Sequence, residues 1–277
     1  MTFKGIDAHQ HFWKYDPVKF GWVNDSMSIL RNDYLPEDLE PVLKANGMEG
    51  CVAIQADQSE HETEFLLQLA KNHSFIKGVV GWIDLKAKTV DERLDHYADF
   101  KLLKGFRHIL QAEKPEFMLY PDFKRGIAAL RKHQFTYDLL LYPYHLEAAI
   151  ELVKEFPDQP FVVDHIAKPD IKNGNMKDWK KNIQSIAELP NVFCKISGMV
   201  TEHDFAQWKK EDFTPYLNVV VEAFGINKVM FGSDWPVCLV AASYKSTLEI
   251  VKEYFSSFSQ TEQEMFFNKN ATQFYKL

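Results

Sequence analysis

Eight short apolar segments recur along the chain at intervals of about thirty residues, with helix-length stretches between them, and this alternation restricts the fold to an α/β architecture built on a parallel sheet. The spacing predicts strands over Gly5–Phe12, Gly50–Ala56, Ile76–Ile83, Leu103–Leu110, Thr136–Leu141, Pro160–His165, Asn191–Ser197 and Lys228–Asp234. Most are unbroken Val, Ile, Leu and Phe runs, as expected of parallel strands buried on both faces. An open doubly wound sheet usually has about five or six strands and a Gly-rich first turn. Neither G-x-G-x-x-G nor G-x-x-x-x-G-K follows the first strand, so the expectation is a (β/α)8 TIM barrel with an extra C-terminal helix. No Pro/Gly/Ser-rich linker or abrupt charge shift divides the 277 residues, and a single domain over 1–277 is expected.

The intervening stretches carry readable helix ends. Pro36 opens a helix over Glu37–Asn46 that Gly47 closes. Ser59 with Glu62, Thr89 with Glu92 and Thr261 with Glu264 each have the spacing of a capping box. After the first strand, the long segment Trp13 to Tyr34 holds Trp13, Tyr15, Phe20 and Trp22. Those rings either wall a pocket or pack the segment onto the barrel.

A formal charge of −7 without a basic stripe argues against nucleic acid or an anionic membrane as partner and favours a small substrate. The N-terminus lacks a basic segment followed by an apolar one, and the apolar runs are too short to span a bilayer, so a cytoplasmic protein is expected. Cys51, Cys194 and Cys238 form no C-x-x-C and are expected to be free, buried thiols. A monomer or homodimer is expected.

A barrel brings the C-terminal ends of its strands to one mouth, so the polar residues there form one constellation. They are His9 and His11; Gln55 and Asp57; Trp82 and Asp84; Arg107 and His108; Asp164, His165 and Lys168; Lys195 and Ser197; and Ser233, Asp234 and Trp235. Strict alternation in the first strand would place Asp7, His9 and His11 on one face and Ile6, Ala8, Gln10 and Phe12 on the other.

The segments I-D-A-H-Q-H-F-W (6–13), K-G-F-R-H-I-L-Q (104–111), D-H-I-A-K-P (164–169), K-I-S-G-M (195–199) and M-F-G-S-D-W-P-V (230–237) together resemble the amidohydrolase superfamily. Within it, the resemblance is to the sugar-lactonase branch that contains L-fuconolactonases and L-rhamnonolactonases. R-N-D-Y-L-P-E-D-L at 31–39 is similar to the segment after the first strand in that branch, and the likeness runs from residue 5 to Asn270-Ala271. It implies a metal-dependent-hydrolase type of barrel that opens a small sugar lactone to the aldonic acid. His9, His11, His165 and Asp234 match positions that hold a catalytic metal or place the attacking water. Asp234 is then the general base, with His165 beside it.

Neutral imidazoles suit zinc, and a carboxylate beside activated water can take its proton. Strand four offers Lys104 and Arg107 rather than a bridging carboxylate, which argues against a two-metal centre. One divalent metal, zinc before manganese, or no metal with three imidazoles donating to the lactone carbonyl, are the alternatives. Arg107, Trp82, Lys168, Gln55 and Trp13 are the expected substrate contacts. Two other reactions compete: metal-dependent decarboxylation of a small unsaturated or aromatic acid, and hydrolysis of a non-sugar lactone.

Overall fold

The structure, a computed structural model, describes residues 4–277; of the domain read over 1–277, residues 1–3 lie outside the described residues. Eight parallel strands pair in chain order: β1 Gly5–Gln10, β2 Met48–Ile54, β3 Ile76–Gly81, β4 Leu103–His108, β5 Thr136–Leu139, β6 Phe161–Val163, β7 Val192–Ile196 and β8 Val229–Phe231. Helices follow them in turn: α1 Pro36–Ala45, α2 Glu60–Asn72, α3 Val90–Tyr97, α4 Pro121–Lys132, α5 Leu146–Glu155, α6 Lys177–Ala187, α7 Lys210–Phe224 and α8 Tyr244–Tyr254. This is the expected (β/α)8 barrel.

β8 is three residues long, so β1 and β8 meet chiefly at the mouth. There Asp234 N donates to His9 O (2.9 Å) and His11 N to Trp235 O (2.7 Å). Below them, the Asp7 carboxylate accepts from Ser233 N at 2.9 Å and from His9 N at 3.1 Å, replacing a ladder carbonyl at the seam. Two chemically important residues are thereby fixed by the hydrogen bonds that close the barrel.

The strict alternation expected of β1 does not hold. Asp7 pairs with Cys51 and Gln10 with Ala53, so three steps on β1 face two on β2, the signature of a β-bulge. Ala8 packs in the barrel interior with Ile6 and Val52, His9 turns inward beside it, and Asp7 faces outward at the seam. His9 and His11 share a face, as expected; Asp7 does not.

Two apolar cores belong to the barrel itself. The larger lies between strands and helices; the smaller fills the barrel with Ile6, Ala8, Val52, Ile54, Val80, Val162 and Met230. After α8 the chain forms α9 Gln260–Glu264, a π turn Met265–Lys269 and α10 Asn270–Tyr275. Ala271, Phe274 and Tyr275 of α10 join the inner core, so the extra C-terminal helix stoppers the N-terminal end of the barrel.

Ser59 caps α2 as expected, accepting from Glu62 N, but Thr89 makes no side-chain cap. The last capping box uses Ser259 and Glu262 rather than Thr261 and Glu264. The three cysteines are free and buried. Among the described residues no helix is long and apolar enough to cross a membrane.

Glu62 does not complete its box; its carboxyl is buried and accepts from Ala56 N at 3.1 Å. Burial pushes its pKa from 4.5 up to about 7. A folded-state pKa above the unfolded one means that folding takes up protons, so stability is lost as pH rises from the unfolded value through about 7. Glu62→Gln retains the acceptor and cannot ionise. Urea unfolding should find its advantage over the native chain about 2 kcal/mol larger at about pH 8 than at about pH 5; an advantage independent of pH would contradict a buried, titrating Glu62.

Candidate active site

Three imidazoles converge at the mouth, each tethered through one ring nitrogen. His9 Nδ1 lies 3.3 Å from Asp164 Oδ1, His11 Nδ1 is 2.8 Å from Ile54 O, and His165 Nδ1 is 2.8 Å from Ser197 Oγ. Each leaves Nε2 facing the centre. His9 Nε2 and His11 Nε2 are 3.2 Å apart, and Asp234 Oδ1 is 3.4 Å from His11 Nε2 and 3.9 Å from both His9 Nε2 and His165 Nε2. Burial pushes the His9 and His165 pKa values well below the usual imidazole range, so both rings are neutral. Burial raises the Asp234 carboxyl, but His165, His11 and Lys168 outweigh it and hold the group below its ordinary value, ionised.

Left-handed backbone puts these groups in place. His165, Ile166, Ala167 and Lys168 have φ of 55°, 49°, 57° and 47°, and Asp234 has φ 59°. Such φ values in residues with a Cβ cost roughly 1–2 kcal/mol each, and surrounding structure must sustain them. The Trp179 indole donates to Ile166 O at 2.7 Å, and Lys168 N bonds His165 O at 2.8 Å. Two glycines leave the room required. A Cβ on Gly198 would stand 2.5 Å from His165 Nδ1, and one on Gly232 2.6 Å from His9 Cβ.

Beneath the imidazoles lies a buried set of paired charges. Arg107 Nη1 donates to Asp164 Oδ2 at 3.1 Å and sits 3.3 Å from His9 Nε2. Its Nη2 donates to Gln55 Oε1 at 3.0 Å and to the Gln55 carbonyl. Lys195 Nζ lies 2.5 Å from Asp138 Oδ2, 3.0 Å from Asp164 Oδ1 and 3.3 Å from His9 Nδ1. Burial raises the Asp164 pKa, but Lys195, His9 and Arg107 together drive it well below the carboxylate range. Donor-only cations flank both His9 nitrogens at 3.3 Å, Arg107 Nη1 beside Nε2 and Lys195 Nζ beside Nδ1, and the Asp164 carboxylate beside Nδ1 is the acceptor that a proton on that nitrogen meets.

The other expected substrate residues spread around this centre. Lys168 Nζ is at the rim, 3.6 Å from Glu202 Oε1 and 5.6 Å from the centroid of the Tyr142 ring. Trp82 is half-buried, its indole N–H directed to His108 Nδ1 at 3.3 Å. Gln55 is fully enclosed and holds Arg107. Trp13 is buried under its own loop, bonded to Asn32 O at 2.9 Å and packed with Phe20, Val23 and Leu30. The rings of 13–34 thus form a small core of their own, with Trp22 left half-exposed. Asp138 and Tyr275, which complete the charged floor, carry no sequence motif; the β4–β5 register brings in the first and the fold of α10 beneath the barrel the second.

The donor set fits a metal ion. Four ligand atoms about 2.0–2.1 Å from a tetrahedral centre stand roughly 3.3–3.4 Å apart. His9, His11 and Asp234 approach that spacing, and His9, Asp164 and His165 form a second close group. Asp164 is already engaged by Lys195 and Arg107, so the set completed by His165 and Asp234 is the better one. Anchored Nδ1 atoms with Nε2 turned to the centre are what metal-binding imidazoles require, and at His9 an ion would take the place of the Arg107 Nη1 contact at 3.3 Å.

Neutral imidazoles and an ionised carboxylate at the C-terminal mouth of a (β/α)8 barrel define an enzyme of the His/Asp-centred barrel class. The chain belongs to the amidohydrolase family, whose model, described as amidohydrolase, matches residues 6–277. It is 36% identical to an L-fucono-1,5-lactonase of Burkholderia multivorans, over 98% of this chain and 96% of that one. Identity to an L-fucono-1,5-lactonase of Burkholderia ambifaria is 33%, over 88% and 84% of the two chains. A crystal structure of an amidohydrolase from Burkholderia multivorans with bound zinc superposes with a TM-score of 0.96 at 35% identity, covering 99% of each chain.

Proposed function

We propose that this single barrel domain hydrolyses the ring ester of a small sugar lactone, of the L-fucono- or L-rhamnono-lactone kind, to the aldonic acid. The observation that carries hydrolysis is the convergence of three tethered imidazoles on the ionised Asp234. Kinship to L-fucono-1,5-lactonases over nearly the whole chain supports the substrate class.

Asp234 Oδ1 takes a proton from water as the water oxygen attacks the lactone carbonyl carbon. Negative charge gathers on the carbonyl oxygen, and the Arg107 guanidinium behind His9 offers the fixed positive field that favours it. The bond from the carbonyl carbon to the ring oxygen then breaks, and protonated Asp234 returns its proton to that oxygen. Atoms balance as lactone plus water giving the hydroxy acid. Lys168 serves the substrate's hydroxyls from the rim and Trp82 forms a wall. Gln55 and Trp13 act through what they hold, the guanidinium and the loop beside His11. His9, His11, His165 and Asp234 would hold one divalent ion, zinc by donor type; when bound, it supplies Lewis acidity and a lowered water pKa.

The test is a pH-indicator assay against L- and D-aldonolactones, before and after chelation with metal add-back. Proton release is expected on L-fuconolactone-like substrates. Silence across the panel with metal content verified would overturn the reading, and release of carbon dioxide from an aromatic acid would replace it with decarboxylation.

A further inference from the structure

The stoppering helix α10 does more than close the barrel. Tyr275 projects into the interior and its hydroxyl donates to Asp138 Oδ2 at 2.8 Å. Its ring centroid lies 5.3 Å from Lys195 Nζ, within cation–π range. Asp138, Lys195 and Asp164 are fully buried and form one file from the barrel floor to His9: Tyr275 to Asp138, Asp138 to Lys195, Lys195 to Asp164, and Asp164 to His9 Nδ1. Each link is a charge-assisted contact at low dielectric, where an imbalance at one end is felt at the next.

The ammonium of Lys195 serves two carboxylates that compete for it. Asp138 Oδ1 has no hydrogen-bond partner, so all of Asp138's donors meet at Oδ2, and these are Lys195 and Tyr275. Burial pushes the Tyr275 pKa well above the phenol range, so the hydroxyl remains a donor. While it shares the charge of Asp138, Lys195 stays divided between Asp138 and Asp164.

We infer that Tyr275 is a positioning residue for the active site: by holding Asp138 from below, it sets how much of Lys195 reaches Asp164, and so how firmly Asp164 holds the His9 ring. Without the hydroxyl, Lys195 is drawn toward Asp138. Asp164 is then less neutralised and a stronger acceptor for His9 Nδ1–H. Neutralising Asp138 instead releases Lys195 wholly to Asp164, which weakens that acceptor.

Two measurements test this on Tyr275→Phe, Asp138→Asn and the double variant. The first is NMR of the chelator-treated full chain with 15N-labelled histidine, in which the His9 Nδ1–H signal is identified by its absence from His9→Gln. Tyr275→Phe should move that proton downfield and Asp138→Asn upfield, with the His11 signal fixed. The second is kinetic and rests on the lactonase reading: Tyr275→Phe should lower kcat about tenfold with KM within about twofold, as expected when a reacting group is slightly misplaced. In the Asp138→Asn background the further change to Phe should cost less than about twofold. An unmoved His9 signal overturns the inference whatever the substrate proves to be. Equal kcat losses in both backgrounds would show that the residue acts only through α10 packing, and overturn it as well. Should Tyr275→Phe fail to fold, Asp138→Asn alone decides, since a stationary His9 signal there breaks the file.

Discussion

Asp234→Asn should reduce turnover of the lactone by ~10²–10⁴-fold while leaving ligand binding within a few-fold of native, because loss of a positioned base costs about that much. Asn has the same shape but cannot take the proton of water. The substitution is unusually clean here. Asp234 sits at φ 59°, and Asn is among the residues best suited to left-handed backbone. Its backbone N–H to His9 O and its carbonyl to Cys238 N, at 2.9 and 2.8 Å, do not depend on the side chain. Barrel closure therefore survives, and a large fall in kcat reports on chemistry. Inhibitor binding to the variant, compared with single-turnover rates, separates the two effects. A variant retaining more than about a tenth of the native rate would remove Asp234 from the role of base. Metal content must be measured alongside, since the same carboxylate belongs to the donor set.

All eight strands were legible because strands covered on both faces need continuous apolar runs, and those runs leave little else to be. Their ends were not. The runs read to His165 and Asp234 stop as strands at Val163 and Phe231, where the chain turns left-handed to present its functional groups. Nothing in the residue types of D-H-I-A-K or S-D-W announces that turn. The bulge in β1 is similarly silent, since period-two reasoning cannot see an extra residue that only strand pairing reveals. Convergence of strand ends placed His9, His11, His165 and Asp234 among the polar residues of one mouth, and the resemblance to the sugar-lactonase branch singled out these four. The floor was harder. Asp138, Lys195 and Tyr275 are separated by 57 and 80 positions, and their partnership depends on β5 and β7 lying two strands apart with α10 folded beneath them. Gly198 and Gly232 lay within quoted motifs, yet their reason, room for the His165 and His9 side chains, is a distance rather than a pattern.

Lys195→Met should destabilise the protein by about 3–5 kcal/mol, the loss expected when one partner of a buried ion pair is removed and the other is stranded. Two cations, Arg107 and Lys195, here face two carboxylates, Asp138 and Asp164, with His9 neutral among them. Methionine fills much of the volume of the lysine stem, so lost packing is a minor part of the effect. What remains is Asp138 with only the Tyr275 hydroxyl to share its charge, and Asp164 leaning on Arg107 alone among the cations. The cause can be separated by adding Asp138→Asn. If stranded charge dominates, the double variant recovers a large share of the loss, because an amide at 138 still accepts from Tyr275 and carries no charge to desolvate. If lost packing dominates, the second substitution adds its own cost and the double variant is weaker than either single one. Urea unfolding of the four proteins gives the coupling energy directly, and a Lys195→Met protein as stable as the native chain would mean that the buried charges are not balanced by this lysine. The balance matters beyond stability, since the same ammonium sets the field in which Asp164 holds His9.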